Sequence, residues 1–120
     1  MWTYYRQTGN LQSTTNASVC TGYSGFGEGK NDPSMSDVHN VGPLPAGMYT
    51  ICEPHDDAQV GPYAMRLTPD AANEMFGRGD FLIHGDSFTH PGAASHGCVI
   101  IPRWARTQIW DSGEHTLVVI

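Results

Sequence analysis

"FLIHGDSFTHPGAASHGCVIIP", Phe81 to Pro102, sets two apolar runs on either side of a polar connection rich in glycine and small residues. Short apolar runs bounded by Gly and Pro and enriched in Ile and Val read as buried strands. The stretch holds His84, His90 and His96, half of the chain's six histidines, and Cys98, the last of its three cysteines. His84 therefore closes one strand and Cys98 stands just before the next, 98 − 84 = 14 residues later. Both lie at the mouth of a sheet.

On the C-terminal side, "PRWARTQIWDSG" puts Pro102 at a helix start and Gly113 at its end, with Trp104, Ile109 and Trp110 as core contacts. "HTLVVI" then closes the chain as a strand. On the N-terminal side, "TPDAANEMFGRG" carries Thr68 as N-cap, Pro69 at the first helical position, Asp70 in the first turn and Gly77 as the stop, which predicts another short helix. "GPLPAGMYTICEP" feeds a strand at about Met48 to Cys52, and "PYAMRL" reads as its hairpin neighbour. "MWTYYRQ" and "LQSTT" flank Thr8-Gly9-Asn10 as an opening hairpin. The Gly-rich "GYSGFGEGKNDPSMSDVHN" predicts a long surface excursion with one helical turn after Asp32-Pro33. With no repeat and no linker, residues 1–120 read as one domain, mainly β (β-rich α+β) with two or three short helices.

Composition narrows the function classes. A 120-residue chain with 39% hydrophobic residues, 14 Gly and 8 Pro suits a turn-rich globular domain, and its length suffices to bury roughly two thirds of the unfolded surface. A net charge of −6 argues against nucleic acid as a partner, because phosphate binding needs a concentrated basic face. No apolar run approaches the ~18 residues that span a bilayer, so no membrane partner is expected. "MWTYYRQTGNLQ" has neither the basic nor the apolar region of a Sec signal. Cys20, Cys52 and Cys98 form an odd set without a CxxC pair. Cys20 and Cys52 either join in a disulfide or stay reduced in the core, and sequence leaves both readings open.

The chemistry concentrates in "SHGC". A cysteine nucleophile works as a thiolate, and a neighbouring imidazolium or a cluster of backbone N–H groups lowers the thiol pKa. Gly97 lets the chain bend closely behind the sulfur, so N–H groups near His96, Gly97 and Cys98 are placed to meet an oxyanion, and His84 is the partner base. The other ring nitrogen of His84 needs an acceptor, either the Gly85 carbonyl or the Asp86 carboxylate. A buried cysteine is otherwise commonly an inert small hydrophobe. Ser95 lacks a GxSxG elbow and reads as a hydrogen-bonding brace, His90 as a solvated loop residue, and His96 as lining or structural more than as a proton carrier. Arg103 and Arg106 share one face of the last helix, where surface charge and substrate binding are both open readings.

The pairing of "IHG" with a following "SHGC" resembles the L,D-transpeptidases of the YkuD type, in which a His pairs with the Cys of a Ser/Thr-His-Gly-Cys motif. "GPLPAGMYTI" is similar to the strand that precedes the catalytic half of those enzymes, so the resemblance covers Gly42 to Arg103. With the "GYSGFGEGKND" excursion and no Sec signal, the chain looks most like the compact L,D-transpeptidase-like effectors of type VI secretion. The resemblance implies an L,D-transpeptidase-like β-sandwich and a cysteine-dependent L,D-carboxypeptidase or L,D-transpeptidase acting on peptidoglycan tetrapeptide stems. It assigns catalysis to Cys98, His84 and His96, with support from Gly85, Asp86, Ser95, Gly97 and Arg103, and implies no cofactor and no metal. It further implies secretion without a Sec signal, action in the periplasm of target bacteria, and an immunity protein and the secretion apparatus as partners. The chain departs from those enzymes at Ile100, where they carry Asn or Arg, and Arg103 is the nearest replacement for carboxylate recognition. Two other classes stand beside this one. A zinc-dependent peptidoglycan hydrolase would draw ligands from His84, Asp86, His90, His96 and Cys98, although no HExxH is present and His96 and Cys98 straddle a glycine in a tight turn. A non-catalytic cell-wall-binding module would keep the fold alone.

Overall fold

Alternation of buried and half-exposed residues builds the strands. In β1 (Trp2–Tyr5), Trp2 and Tyr4 turn inward, and in β10 (Thr116–Val119) Leu117 and Val119 do the same. The two strands pair in parallel with Trp2 opposite Leu117 and Tyr4 opposite Val119, so all four side chains meet on one face. The computed structural model describes residues 1–120. Its other strands are β2 (Asn10–Gln12), β3 (Ser18–Thr21), β4 (Tyr23–Ser24), β5 (Gly47–Ile51), β6 (His55–Asp57), β7 (Gly61–Pro69), β8 (Leu82–His84) and β9 (Val99–Ile100). A helix, α1 (Arg103–Asp111), and 3₁₀ turns at Gly27–Gly29 and Pro33–Met35 complete the chain. The strands form one mixed sheet in the order β3-β2-β1-β10-β5-β7-β8-β9-β4, with β6 added beside β7. The mainly β expectation is met.

β7 joins the two halves of the sheet. Its nine residues pair with β6 from Gly61 to Ala64, with β8 at Met65 and Arg66, and with β5 from Leu67 to Pro69. One face of this centre carries Met65, Leu67, Ile83 and Val99 into a single core with Trp2, Tyr4, Tyr49 and Leu117. Each such side chain contributes roughly 1.5–3 kcal/mol on burial. α1 adds Ala105 and Ile109 to that core, whereas Trp104 is exposed and Trp110 stacks on His115 with ring centroids 3.9 Å apart. Of the three expected helix contacts, Ile109 is central, Trp110 peripheral and Trp104 outside.

Two expectations change. No helix forms over Thr68 to Gly77, because Thr68 pairs with Thr50 inside β7 and Pro69 ends that strand. The residues that follow make turns instead: Asp70 accepts from Ala72 N at 2.9 Å, and Phe76 and Gly77 both adopt positive φ. Asn73 explains the preference, since its amide brackets Met48 through Nδ2 to Met48 O (2.8 Å) and Met48 N to Oδ1 (3.2 Å), satisfying backbone groups of β5. The excursion after Gly22 is also not wholly on the surface. It has the expected turn after Asp32-Pro33, with Asp32 accepting from Ser34 N at 3.0 Å, but it begins as β4, which pairs Tyr23 with Ile100 and Ser24 with Val99. Cys20, Cys52 and Cys98 are free thiols, with Cys20 packed against the core and Cys52 Sγ 3.4 Å from Thr68 Oγ1.

Two buried tyrosines allow a direct test of this core. The Tyr49 hydroxyl donates to Pro45 O at 2.7 Å, while the Tyr4 hydroxyl is buried with no partner. Removing a satisfied hydroxyl forfeits a hydrogen bond, and removing an orphaned one relieves a desolvation cost. Tyr49→Phe is expected to lower stability by about 1 kcal/mol and Tyr4→Phe to leave it unchanged or raise it by about 1 kcal/mol. Urea unfolding of both variants checks this, and an equal loss in the two would contradict the assigned contacts.

Candidate functional site

β8 and β9 lie side by side in parallel, with Ile83 opposite Val99 and His84 opposite Ile100. Ile83, Val99 and Ile101 enter the core, so alternation turns Leu82, His84, Cys98 and Ile100 to the other face. His84 and Cys98, fourteen residues apart in the chain, thereby share one side of the sheet. His84 is only 2% exposed. Its Nδ1 lies 2.8 Å from the Gly85 carbonyl oxygen, which can only accept, so the proton sits on Nδ1 and Nε2 keeps its lone pair. Burial lowers the His84 pKa, the Gly85 bond opposes this, and the nearby Arg106 charge adds to it, leaving the imidazole neutral at pH 7.

The thiol is neutral as well. Burial raises the Cys98 pKa, against the Leu82 N–H and the charges of Arg66 and Arg78, which favour the thiolate. Leu82 N–H reaches Cys98 Sγ at 3.3 Å. No hydrogen bond joins His84 to Cys98, and with the imidazole neutral no imidazolium charge acts on the thiol. Cys98 N–H has no acceptor within the protein, whereas Gly97 N–H is committed to Ser95 Oγ at 3.1 Å. The Cys98 amide is thus free to bond an incoming acceptor and the Gly97 amide is not.

The "SHGC" turn is held from three directions. Fully buried Ser95 accepts from Gly25 N at 2.9 Å and donates to Cys98 O at 2.5 Å, which makes it the expected brace. Ser24 Oγ donates to Gly97 O at 2.9 Å and accepts from Leu44 N at 2.9 Å. Arg78 Nη2 donates to His96 O at 3.2 Å. Gly97 has φ of +137°, and a Cβ there would lie 2.5 Å from a Phe81 ring carbon and 2.6 Å from Arg78 Nη2, so only glycine fits. Sequence reasoning missed Ser24 and Arg78, which have no motif and lie far from Cys98 in the chain. Arg78 merely follows Gly77, the expected helix stop, and Ser24 falls in the stretch expected to be a surface excursion.

Asp86 has another task than orienting His84. Its carboxylate accepts from Tyr23 Oη at 2.6 Å, Ser87 N at 2.8 Å and Gly92 N at 3.1 Å, closing the 86–92 loop onto β4. Partial burial raises its pKa, but these bonds outweigh that and hold the carboxyl below the usual carboxylate range. Tyr23 Oη in turn accepts from Ala94 N at 2.9 Å, and Lys30 Nζ lies 4.6 Å from the Tyr23 ring centroid. His90 stays in the exposed loop, with Nδ1 3.0 Å from Thr89 Oγ1. His96 is exposed, stacks on Phe26 at 4.9 Å and places Nδ1 3.1 Å from Asn40 O, which ties its ring to the excursion. No group of three or more His, Cys, Asp or Glu side chains is arranged to hold a metal ion.

His84, Asp86 and His90 line a cleft of about 470 Å³ together with Phe26 and Val60. Cys98 is not in that lining. A second cleft of about 750 Å³ adjoins it across Gln59, Val60 and Gly85 to Ser87, and carries Arg103 and Arg106. Arg106 is 4% exposed and commits its guanidinium to Tyr63 O (2.9 Å), Ile101 O (2.5 Å) and Pro62 O (3.3 Å), so it is a structural cation. Exposed Arg103 rests 4.5 Å from the Tyr63 ring centroid and makes no side-chain hydrogen bond within the protein. The two arginines share a helix face but not a role. Fully exposed Phe88 rims the same cleft.

The buried neutral imidazole sets a sign for acid sensitivity. His84 in the unfolded chain titrates near its ordinary 6.5 and lower in the folded protein. Between those values the unfolded form binds more protons, so stability present above pH 6.5 is lost as pH falls toward the folded pKa. His84→Gln is expected to lose less stability than the parent between pH 7 and pH 5, measured by urea unfolding. Equal losses would mean that His84 is not held neutral by burial.

No helix of the protein is long and apolar enough to cross a membrane. Searches of curated proteins and of solved structures return no match. A family model for the Tlde1 domain matches residues 18–119. That range extends well beyond the Gly42 to Arg103 resemblance and takes in Tyr23, Ser24 and Gly25, the residues that brace the cysteine turn. The chain belongs to the Tlde1 domain family, a type VI secretion effector domain.

Proposed function

We propose that this effector is a cysteine-dependent enzyme of the L,D-transpeptidase type, cleaving or exchanging the terminal D-alanine of peptidoglycan tetrapeptide stems in the periplasm of target bacteria. The observation that carries the reading is the placement of His84 and Cys98 on one face of the paired strands β8 and β9, with Nδ1 of His84 tied to Gly85 O and Nε2 left basic. In this mechanism Cys98 Sγ attacks the carbonyl of the third stem residue as Nε2 takes the thiol proton. The tetrahedral oxyanion forms beside the free Cys98 N–H. Collapse breaks the peptide bond, and His84 passes its proton to the departing D-alanine amine, leaving a thioester. Water resolves the thioester in the carboxypeptidase reaction, and an amine does so in exchange or cross-linking.

A neutral thiol and a neutral imidazole suit a general-base step, in which proton transfer accompanies attack, better than a standing ion pair. Catalytic hydrogen bonds are often absent in a free enzyme and form only with substrate, so the separate partners of His84 and Cys98 at rest accord with this route. Ile100 is buried between Tyr23 and His84 on the neighbouring strands and has no polar atom to offer a carboxylate. Arg103, exposed in the adjoining cleft, takes that role. An immunity protein in the producer and the secretion apparatus complete the proposed partners.

Mass analysis of tetrapeptide stems incubated with the protein, with and without a free D-amino acid, tests bond and acceptor together. Cys98→Ala is expected to fold and to give neither cleavage nor exchange; turnover in that variant would sink the cysteine mechanism. His84→Ala should reduce the rate by about 10²-fold or more. Arg103→Ala should weaken apparent substrate affinity, and an unchanged affinity would remove Arg103 from recognition.

A further inference from the structure

Arg78 is the one cation that touches the cysteine turn from inside the protein. It is 9% exposed and pairs with no carboxylate: the ion pairs of the protein are Met1 with Glu114, His55 with Asp57 and Arg66 with Asp80. Its guanidinium instead donates to four carbonyls, Ser36 O (2.6 Å), Pro43 O (2.9 Å), Gly42 O (2.9 Å) and His96 O (3.2 Å), and lies 5.2 Å from the Phe81 ring centroid. Arginine keeps its charge under such burial. Carbonyl dipoles soften the cost of a buried cation but do not neutralise it. The Tyr49 hydroxyl is no counter-ion, because burial raises its pKa well beyond neutrality, and Asp37, whose charge favours the guanidinium from a distance, forms no ion pair with it.

We infer that Arg78 is a positioning residue that fixes the "SHGC" turn and serves as the buried counter-charge to the Cys98 thiolate formed in turnover. Nη2 bonds the carbonyl two residues before Cys98 and fills the space beside Gly97. Phe81, which stacks on Arg78, precedes Leu82, whose N–H contacts the sulfur. Arg78 and Cys98 each favour the other's charged form. The remaining charges acting on the thiol are Arg66 on β7 and Asp57 on β6, which opposes ionisation, while neutral His84 lies further along the same face of β8. Arg66 is half-exposed and 3.7 Å from Asp80, so solvent, salt and its partner screen it in a way that Arg78 escapes.

The inference rests on Cys98 being the reacting thiol of the proposed enzyme, but its test reads the thiol directly. The pH dependence of Cys98 alkylation by iodoacetamide is measured on the whole chain with Cys20 and Cys52 replaced by Ser. Arg78→Gln is expected to move the midpoint upward and to slow alkylation at pH 7.5 about fivefold to tenfold. Arg78→Lys, which keeps the charge without the fork, should restore the midpoint in part, and Arg66→Gln should shift it less than Arg78→Gln. A folded Arg78→Gln with an unchanged midpoint, or an Arg66→Gln shift as large, overturns the inference. If Arg78→Gln does not fold, the midpoint with Arg78 in place decides: a buried counter-charge keeps it constant between 0.05 M and 1 M NaCl, whereas a marked rise with salt assigns the effect to exposed charges and overturns the inference. The expected shifts in a protein that leaves stem peptides intact would sink the proposed reaction and leave this inference standing.

Discussion

The parallel pairing of β8 with β9 is the constraint from which the site follows. Parallel neighbours cannot be joined by a tight hairpin and need a crossover of about a dozen residues or more. Here the crossover, from Gly85 to Cys98, contains no helix and no strand. It returns to the sheet beside the strand it left, so Cys98, which introduces β9, comes to lie beside Leu82, two residues before the His84 that ends β8. Register then fixes their direction. With Ile83 opposite Val99 and both in the core, His84 and Cys98 must turn together to the opposite face of the sheet.

A crossover without regular structure leaves backbone groups to be satisfied one by one. The fold does this with side chains from the excursion and from the crossover itself, and with two buried guanidinium groups. Ser24, Ser95 and Asp86 take up N–H and C=O groups of the crossover, while Arg78 collects carbonyls from the excursion and the cysteine turn. Arg106 does the same for Ile101, Pro62 and Tyr63 beneath the second cleft. A fork of several donors is what makes arginine suited to this, since a lysine ammonium is a point donor without the planar fork. The acidic chain thus uses two of its few cations as internal brackets, leaving Arg103 exposed at the cleft.

The excursion belongs to the site as much as the motif does. Its first residues form β4 against β9, and its later residues carry the Asn40 carbonyl to His96 and the Phe26 ring to the same imidazole. The extent of the family match, from residue 18, agrees with this dependence. A cysteine turn without that buttress would leave Ser95 Oγ, Gly97 O and the Arg78 guanidinium short of partners in a dry interior, where each unmet polar group costs about 1–3 kcal/mol.

Local pattern was enough for β8, β9, α1, β10 and the opening hairpin, because each carries its own periodicity and its own Gly or Pro punctuation. The candidate pair His84 and Cys98 was equally legible, since strand ends flanking a small-residue connection specify their positions without reference to distant chain. Where tertiary partners compete with local preference, sequence reading fails. Thr68 to Gly77 has helix signals at both ends, yet β5 captures Thr68 and Asn73. The sequence by itself determined a β-rich chain with a cysteine and a histidine at adjoining strand ends. Only the tertiary structure decided that His84 bonds Gly85 rather than Asp86, that burial favours the neutral forms of His84 and Cys98, and that Arg78 underlies the turn. Those outcomes depend on burial and on contacts between residues tens of positions apart, which no local periodicity encodes.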